Sequence, residues 1–264
     1  MLFMGWYIKA FIIDIADNNA KREMEEVMKE QLYTIPVNDA FNKDCECPLC
    51  LMYAELEQEA VDFTLGPSYM EDDIRLETDK TGFCTHHMKQ LYKNQNRLGV
   101  ALMLHTHMKY STEKLKNISK SSQPSKKGLF TKKEPAGISE YTSNLENSCY
   151  ICNRIKNVFK RYIATVLHCY TNDDSFRTKF VQCKGFCNKH YGMLYDAAST
   201  LSSSRQKEFI NDLDNVYFEN MQRVIDDLEW FIDKFDYRNE DKPWKNSRDA
   251  VPRSIIKTNS YFQE

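Results

Sequence analysis

Cys47-Pro48-Leu49-Cys50 and Gly82-Phe83-Cys84-Thr85-His86-His87 in the first half of the chain return as Cys149-Tyr150-Ile151-Cys152 and Gly185-Phe186-Cys187-Asn188-Lys189-His190 in the second. The interval from Cys47 to Cys84 is 37 positions, and that from Cys149 to Cys187 is 38. The flanks repeat too: Leu91-Tyr92 and Leu194-Tyr195 stand at the same offset beyond His87 and His190. Matched spacing with matched flanks reads as an internal duplication. It predicts two units of one design, each ordered as Cys-x-x-Cys, helix, short charged helix, Gly-Phe-Cys-x-x-His, longer helix.

The chemistry follows from the residue types. Two ligands three positions apart in a turn or a first helical turn point the same way, so each pair supplies two corners of a tetrahedron and two pairs complete it. Three thiolates and one imidazole suit zinc. Helix starts assist, because the positive end of the macrodipole favours the thiolate that binds metal. The expected sets follow sequence proximity: Cys47, Cys50, Cys84 and His87 in one site, and Cys149, Cys152, Cys187 and His190 in the other, two zinc ions per chain. A site with four protein ligands leaves no position for a catalytic water, which indicates a structural role. An iron–sulfur cluster with one histidine ligand is the chemical alternative.

On this reading residues 28–110 are expected to form the first Cys3His helical unit and 145–240 the second. Helices are expected over 51–63, 153–170 and 87–107, the last with Met88, Leu91, Leu98, Leu102 and His105 on one face. Ile210, Leu213, Tyr217, Val224, Leu228, Phe231 and Phe235 repeat at helical spacing and predict one long amphipathic helix over 206–237. Gly82 and Gly185 suit left-handed helix ends. Residues 111–144, rich in Lys and Ser with Pro-Ser and Pro-Ala breaks, read as a flexible basic linker. Residues 1–27 form an N-terminal extension. The tail, 241–264, is irregular, with Trp244 expected to anchor it on the helical body and Arg253 to meet an acidic group of the long helix.

Composition agrees with this all-α reading. The chain has 264 residues, 42% apolar and 28% charged, with a net charge of -2 and only 8 Gly and 7 Pro. That excludes a disordered chain and leaves few punctuation marks for a fold of many tight turns. The apolar stretch near the N-terminus is interrupted by Lys9 and followed by Asp14 and Asp17, a poor signal peptide. No window is apolar enough to span a bilayer. Nine cysteines in a cytoplasmic chain point to metal binding rather than disulfides.

Other residues carry weaker signals. Cys45, Cys169 and Cys183 are spare thiols. His86 is an alternative ligand beside His87, but Lys189 stands at the equivalent place beside His190. His105 and His107 read as a core or surface pair. Phosphate loops, nucleophile elbows and zincin motifs are missing from the sequence, so those chemistries have no support. From Lys109 to Pro135 eight Lys face two Glu, a local charge of +6, whereas 205–241 carries -6. The basic stretch Lys109–Lys133 can meet the acidic helix or an external polyanion such as nucleic acid.

Tyr33-Thr34-Ile35-Pro36-Val37-Asn38-Asp39-Ala40-Phe41 ahead of Cys47, both Cys-x-x-His pairs, and Pro243-Trp244 through Asp249-Ala250-Val251-Pro252-Arg253 resemble a bacterial family of uncharacterised proteins, a domain of unknown function. The resemblance covers residues 28–256. It implies boundaries and metal ligands but no reaction. The expected function is therefore a zinc-binding helical protein with a non-enzymatic interaction or scaffold role and a protein partner. A zinc-thiolate redox sensor and a nucleic-acid binder are the alternatives.

Overall fold

The computed structural model describes residues 33–121 and 137–260, and among these the regular structure is entirely helical. A helix over 33–42 (α1) is followed by α2 (Pro48–Leu65), α3 (Asp72–Thr81), α4 (Thr85–Lys93) and α5 (Arg97–Ser121). Then come α6 (Ile138–Glu146), α7 (Tyr150–Asn172), α8 (Asp174–Gln182), α9 (Asn188–Ala197), α10 (Ser203–Asp233) and α11 (Ala250–Asn259). No described helix is long and apolar enough to cross a membrane.

The chain divides into two compact units, but not as sequential halves. Unit 1 takes the described residues of the N-terminal segment to Met52 together with Lys160 onward, and unit 2 is Tyr53–Phe159. The two boundaries fall inside α2 and α7, helices with no Gly or Pro near the division to interrupt them. The expected division at 111–144 thus differs from the observed one. Residues 111–121 are the last turns of α5 and 138–146 form α6, while the middle of the expected linker and residues 1–32 lie outside the described residues.

Unit 1 is built on an aromatic core. Phe176, Phe180, Phe186 and Phe209 are fully buried. Phe180 lies 5.3 Å from Phe186, 5.4 Å from Phe209 and 5.2 Å from Tyr170 between ring centroids, and Phe41 of α1 closes on Phe176 at 4.9 Å. Such tilted and edge-on contacts add to the burial of large rings. Phe186 is the aromatic of the second Gly-Phe-Cys-x-x-His motif, so this core seats the motif directly. The preceding Gly185 has φ 85°, and a Cβ there would meet Asn220 at 2.9 Å and the Val216 carbonyl at 3.1 Å, which only glycine avoids.

α10 spans 31 residues and buries Phe209, Leu213, Val216 and Val224. Its carboxylates are used locally: Asp212 accepts from Tyr170 Oη (2.6 Å) and Arg177 (2.9 Å), and Tyr191 Oη donates to Asp214 (2.8 Å). The helix stops at Asp233. Beyond it the buried Lys234 ammonium donates to the carbonyls of Asn239, Glu240 and Lys242 at 2.6–2.7 Å, winding the chain around one cation. The tail then returns to α10. Trp244 lies 5.8 Å from Phe231, Trp230 donates to the Pro243 carbonyl (3.0 Å), and Arg253 pairs with Asp227 of α10 (2.9 Å). After this irregular stretch comes α11, whose Ala250 and Lys257 are buried.

Unit 2 packs α3 on α5 around Val100 and Met103, with Thr106 donating to Asp79 at 2.5 Å. The continuous helix expected over 87–107 is corrected: α4 ends at Lys93 and α5 begins at Arg97. Asn96 breaks it, because its side chain accepts from the Gly99 amide (2.9 Å) and donates to the Leu65 carbonyl (2.8 Å), a cap that competes with helix continuation. Leu98, placed on the expected apolar face, is exposed as a result. Gly82 has φ 59° and leaves room for the His107 ring, which a Cβ would meet at 2.8 Å.

Candidate metal centres

All four cysteine-led motifs stand at helix N-termini. Cys47 and Cys149 immediately precede Pro48 of α2 and Tyr150 of α7. Cys84 and Cys187 are the N-cap residues of α4 and α9, with extended backbones at ψ 163° and 164°. Their carbonyls accept the first helical bonds, from Met88 and Tyr191 at 2.9 Å. The side chains three positions on, Cys50, Cys152, His87 and His190, fall within the first turn and face the same way. Each cysteine pair therefore faces the positive ends of peptide dipoles.

The clusters formed are crossed relative to the sequence. One comprises Cys47, Cys50, Cys187 and His190, all in unit 1; the other comprises Cys84, His87, Cys149 and Cys152, all in unit 2. Within each, the four ligand atoms lie within 4.8 Å of one another. The expectation that Cys47 and Cys50 close on Cys84 and His87, and Cys149 and Cys152 on Cys187 and His190, is overturned. Each Cys-x-x-Cys meets the Cys-x-x-His of the other half. The reason lies in the helices that follow the cysteine pairs: α2 and α7 are long and uninterrupted, and each carries the chain out of the unit that holds its own N-terminal cysteines.

The separations can be compared with a metal's demands. In unit 1, His190 Nδ1 lies 3.5, 3.4 and 3.3 Å from the sulfurs of Cys47, Cys50 and Cys187, and Cys50 Sγ is 3.6 Å from Cys187 Sγ. In unit 2, His87 Nδ1 lies 3.2, 3.4 and 3.3 Å from Cys84, Cys149 and Cys152, and Cys84 Sγ is 3.8 Å from Cys152 Sγ. A tetrahedron with metal–sulfur bonds of ~2.3 Å and a metal–nitrogen bond of ~2.0 Å has edges of about 3.8 Å between sulfurs and about 3.5 Å between sulfur and nitrogen. Both clusters are geometrically capable of chelating one ion. No disulfide links the nine cysteines.

Electrostatics point the same way. Burial pushes the Cys47 thiol up, and packing against the other sulfurs raises Cys50, while Cys187 is held far below the ordinary thiol range by bonds from Cys47 and Cys50. In unit 2, burial opposes ionisation of Cys149, but the His87 imidazole outweighs it and brings that thiol to about 6; Cys152 is raised by burial and by its neighbour Cys149. Three sulfurs at these separations cannot all ionise against one another unless a cation compensates them.

The surroundings of the two clusters differ. His87 Nε2 lies 3.2 Å from the Glu57 carboxylate, which also takes His86 Nε2 at 3.0 Å and a donated bond from Gln90 at 2.9 Å. Burial works against the Glu57 charge, yet these bonds win and hold its pKa at about 2. A carboxylate on the far nitrogen of a metal-binding imidazole fixes the ring and its tautomer. In unit 1 the fully buried Lys257 donates to the Glu46 carbonyl (2.8 Å) and lies 3.2 Å from the Glu46 carboxylate, which also pairs with Arg223 at 2.6 Å.

The sequence from 28 to 264 matches the model of the family of unknown function DUF6062. The chain belongs to that family. No curated protein and no solved structure matched it. All eight expected ligands of this DUF6062 chain thus fall in the two clusters, whereas Cys45, Cys169 and Cys183 stand outside both, His107 covers Gly82, and His86 joins Glu57. Glu57, Glu46, Arg223 and Lys257 were not foreseen. Glu57 sits among ordinary polar and apolar residues of α2, and Lys257 lies in the tail 67 positions beyond His190, so nothing local marks them.

Proposed function

We propose that this chain is a cytoplasmic, non-enzymatic interaction or scaffold protein whose two helical units are each closed by a structural zinc ion, and that the units arose by internal duplication. The carrying observation is the pair of four-ligand clusters whose sulfur–sulfur and sulfur–nitrogen separations match the edges of a zinc tetrahedron. Four protein ligands fill a zinc ion's coordination and leave no place for a substrate or activated water. The tight grouping supports a single ion, since the several irons and bridging sulfides of a cluster hold its ligands farther apart. Burial raises the thiols of Cys45 and Cys183, the latter to about 11, so these spare cysteines are poor nucleophiles at neutral pH and give little support to a redox sensor. Elemental analysis of protein purified under reduction, without chelators, tests the reading. Two zinc ions per chain are expected; a content near zero overturns it.

A further inference from the structure

The two clusters are not equivalently protected. In unit 1 every ligand is buried, at 2% exposure for Cys47, 3% for Cys50, 0% for Cys187 and 1% for His190. In unit 2 Cys149 and His87 are buried, but Cys84 and Cys152 are partly open to solvent. Exchange of a metal held by four protein ligands proceeds through an incoming ligand that reaches the ion before an old one leaves. Partial exposure of two of the three cysteines opens that route in unit 2, and burial of all four ligand residues closes it in unit 1.

The charges beside the clusters strengthen the contrast. Next to the unit-2 cluster, Glu57 Oε1 is shared between His87 Nε2, at 3.2 Å, and His86 Nε2, at 3.0 Å, while the His86 side chain is 62% exposed. The exposed His86 ring and the buried Glu57 carboxylate, 3.0 Å apart and one imidazole ring away from three thiols, group with His87 as residues able to hold a cation. Next to the unit-1 cluster the corresponding place beside His190 is Lys189, and the buried ammonium of Lys257 is bonded to the carbonyl of Glu46, the residue before Cys47, and lies 3.2 Å from the Glu46 carboxylate. There the nearby carboxylate is already taken by two side-chain cations, Lys257 and Arg223, and is not open to an incoming divalent ion.

We propose that the unit-2 site is the exchangeable one, and that Glu57 and His86 are its loading ligands for a thiophilic divalent cation of the zinc class. This rests on reading both clusters as zinc sites. The test starts from protein carrying two zinc ions and adds the competing chelator 4-(2-pyridylazo)resorcinol. After one equivalent is released, thiols are alkylated with N-ethylmaleimide and located by peptide mass spectrometry. Cys84, Cys149 and Cys152 are expected to be labelled at least tenfold faster than Cys47, Cys50 and Cys187; equal rates or the reverse order overturn the proposal. His86→Ala, at an exposed side chain, should leave the final zinc content at two while slowing reloading of unit 2 at least threefold. Unchanged reloading removes the loading role. Protein that holds no zinc from the outset, with all six thiols labelled together, fails through the zinc reading itself, whereas two bound zinc ions leaving at one rate defeat only the inequality of the sites.

Discussion

Glu57 shows what a single buried carboxylate contributes at the scale of one residue. It orients His87 from the side away from the sulfurs and takes bonds from His86 and Gln90. Partners of this kind, when mutated, typically cost about 10–100-fold in metal affinity. Glu57→Gln is expected to weaken zinc binding by that factor at the unit-2 site and leave the unit-1 site unchanged, as read by competition titration of the two equivalents. The clustered cysteines and histidines were legible from Cys-x-x-Cys and Cys-x-x-His spacing, because three positions along a first helical turn is a local constraint. Glu57 was not. Its role depends on where α4 lies beside α2, which no local pattern encodes.

At the scale of elements, residue type and capping decide where helices begin and end. The cysteine N-caps of α4 and α9 and the positive φ of Gly82 at the C-cap of α3 follow such rules and were readable in advance, whereas α2, expected from residue 51, starts at Pro48, and Gly185 stands three positions beyond the end of α8. The break between α4 and α5 was missed, because the apolar spacing of Leu91 and Leu98 continues through it, while the Asn96 cap is visible only from its bonds to Gly99 and Leu65. α8 offers a direct test. Asp173 accepts from the Ser175 hydroxyl at 2.7 Å and from the amides of Ser175 and Phe176 at 2.8 and 3.2 Å, and these bonds lower its pKa below the ordinary aspartate value. A depressed folded-state pKa means that the stabilisation is complete above the unfolded value and is lost only as pH falls through the lower folded one. Asp173→Ala should therefore lower the melting temperature at pH 7, and the difference should persist near pH 4, where an unperturbed aspartate is about half protonated. Thermal melts of wild type and variant across that range give the comparison.

At the scale of the whole molecule, each Cys-x-x-Cys groups with the Cys-x-x-His of the other half of the sequence. Pairing each cysteine motif with its nearest histidine motif was the economical reading of the sequence, since chain closure costs rise with loop length. That cost is modest per doubling of the loop and does not decide between the near partner and the distant one. Cys47 and Cys50 instead meet residues 137 to 143 positions away, tying the N-terminal segment of unit 1 to α9 beside the Phe180 core. Verified zinc removal should accordingly lower the melting temperature and the helical signal in circular dichroism; unchanged melting would contradict a structural role. The most direct test of the crossed arrangement is the zinc content of two double variants, measured by elemental analysis. Cys47→Ser with Cys187→Ser places both lesions in one crossed site and is predicted to retain one zinc ion per chain, while Cys47→Ser with Cys84→Ser damages both sites and is predicted to retain none. The opposite result, with one ion kept by the second variant and none by the first, would contradict crossed ligation.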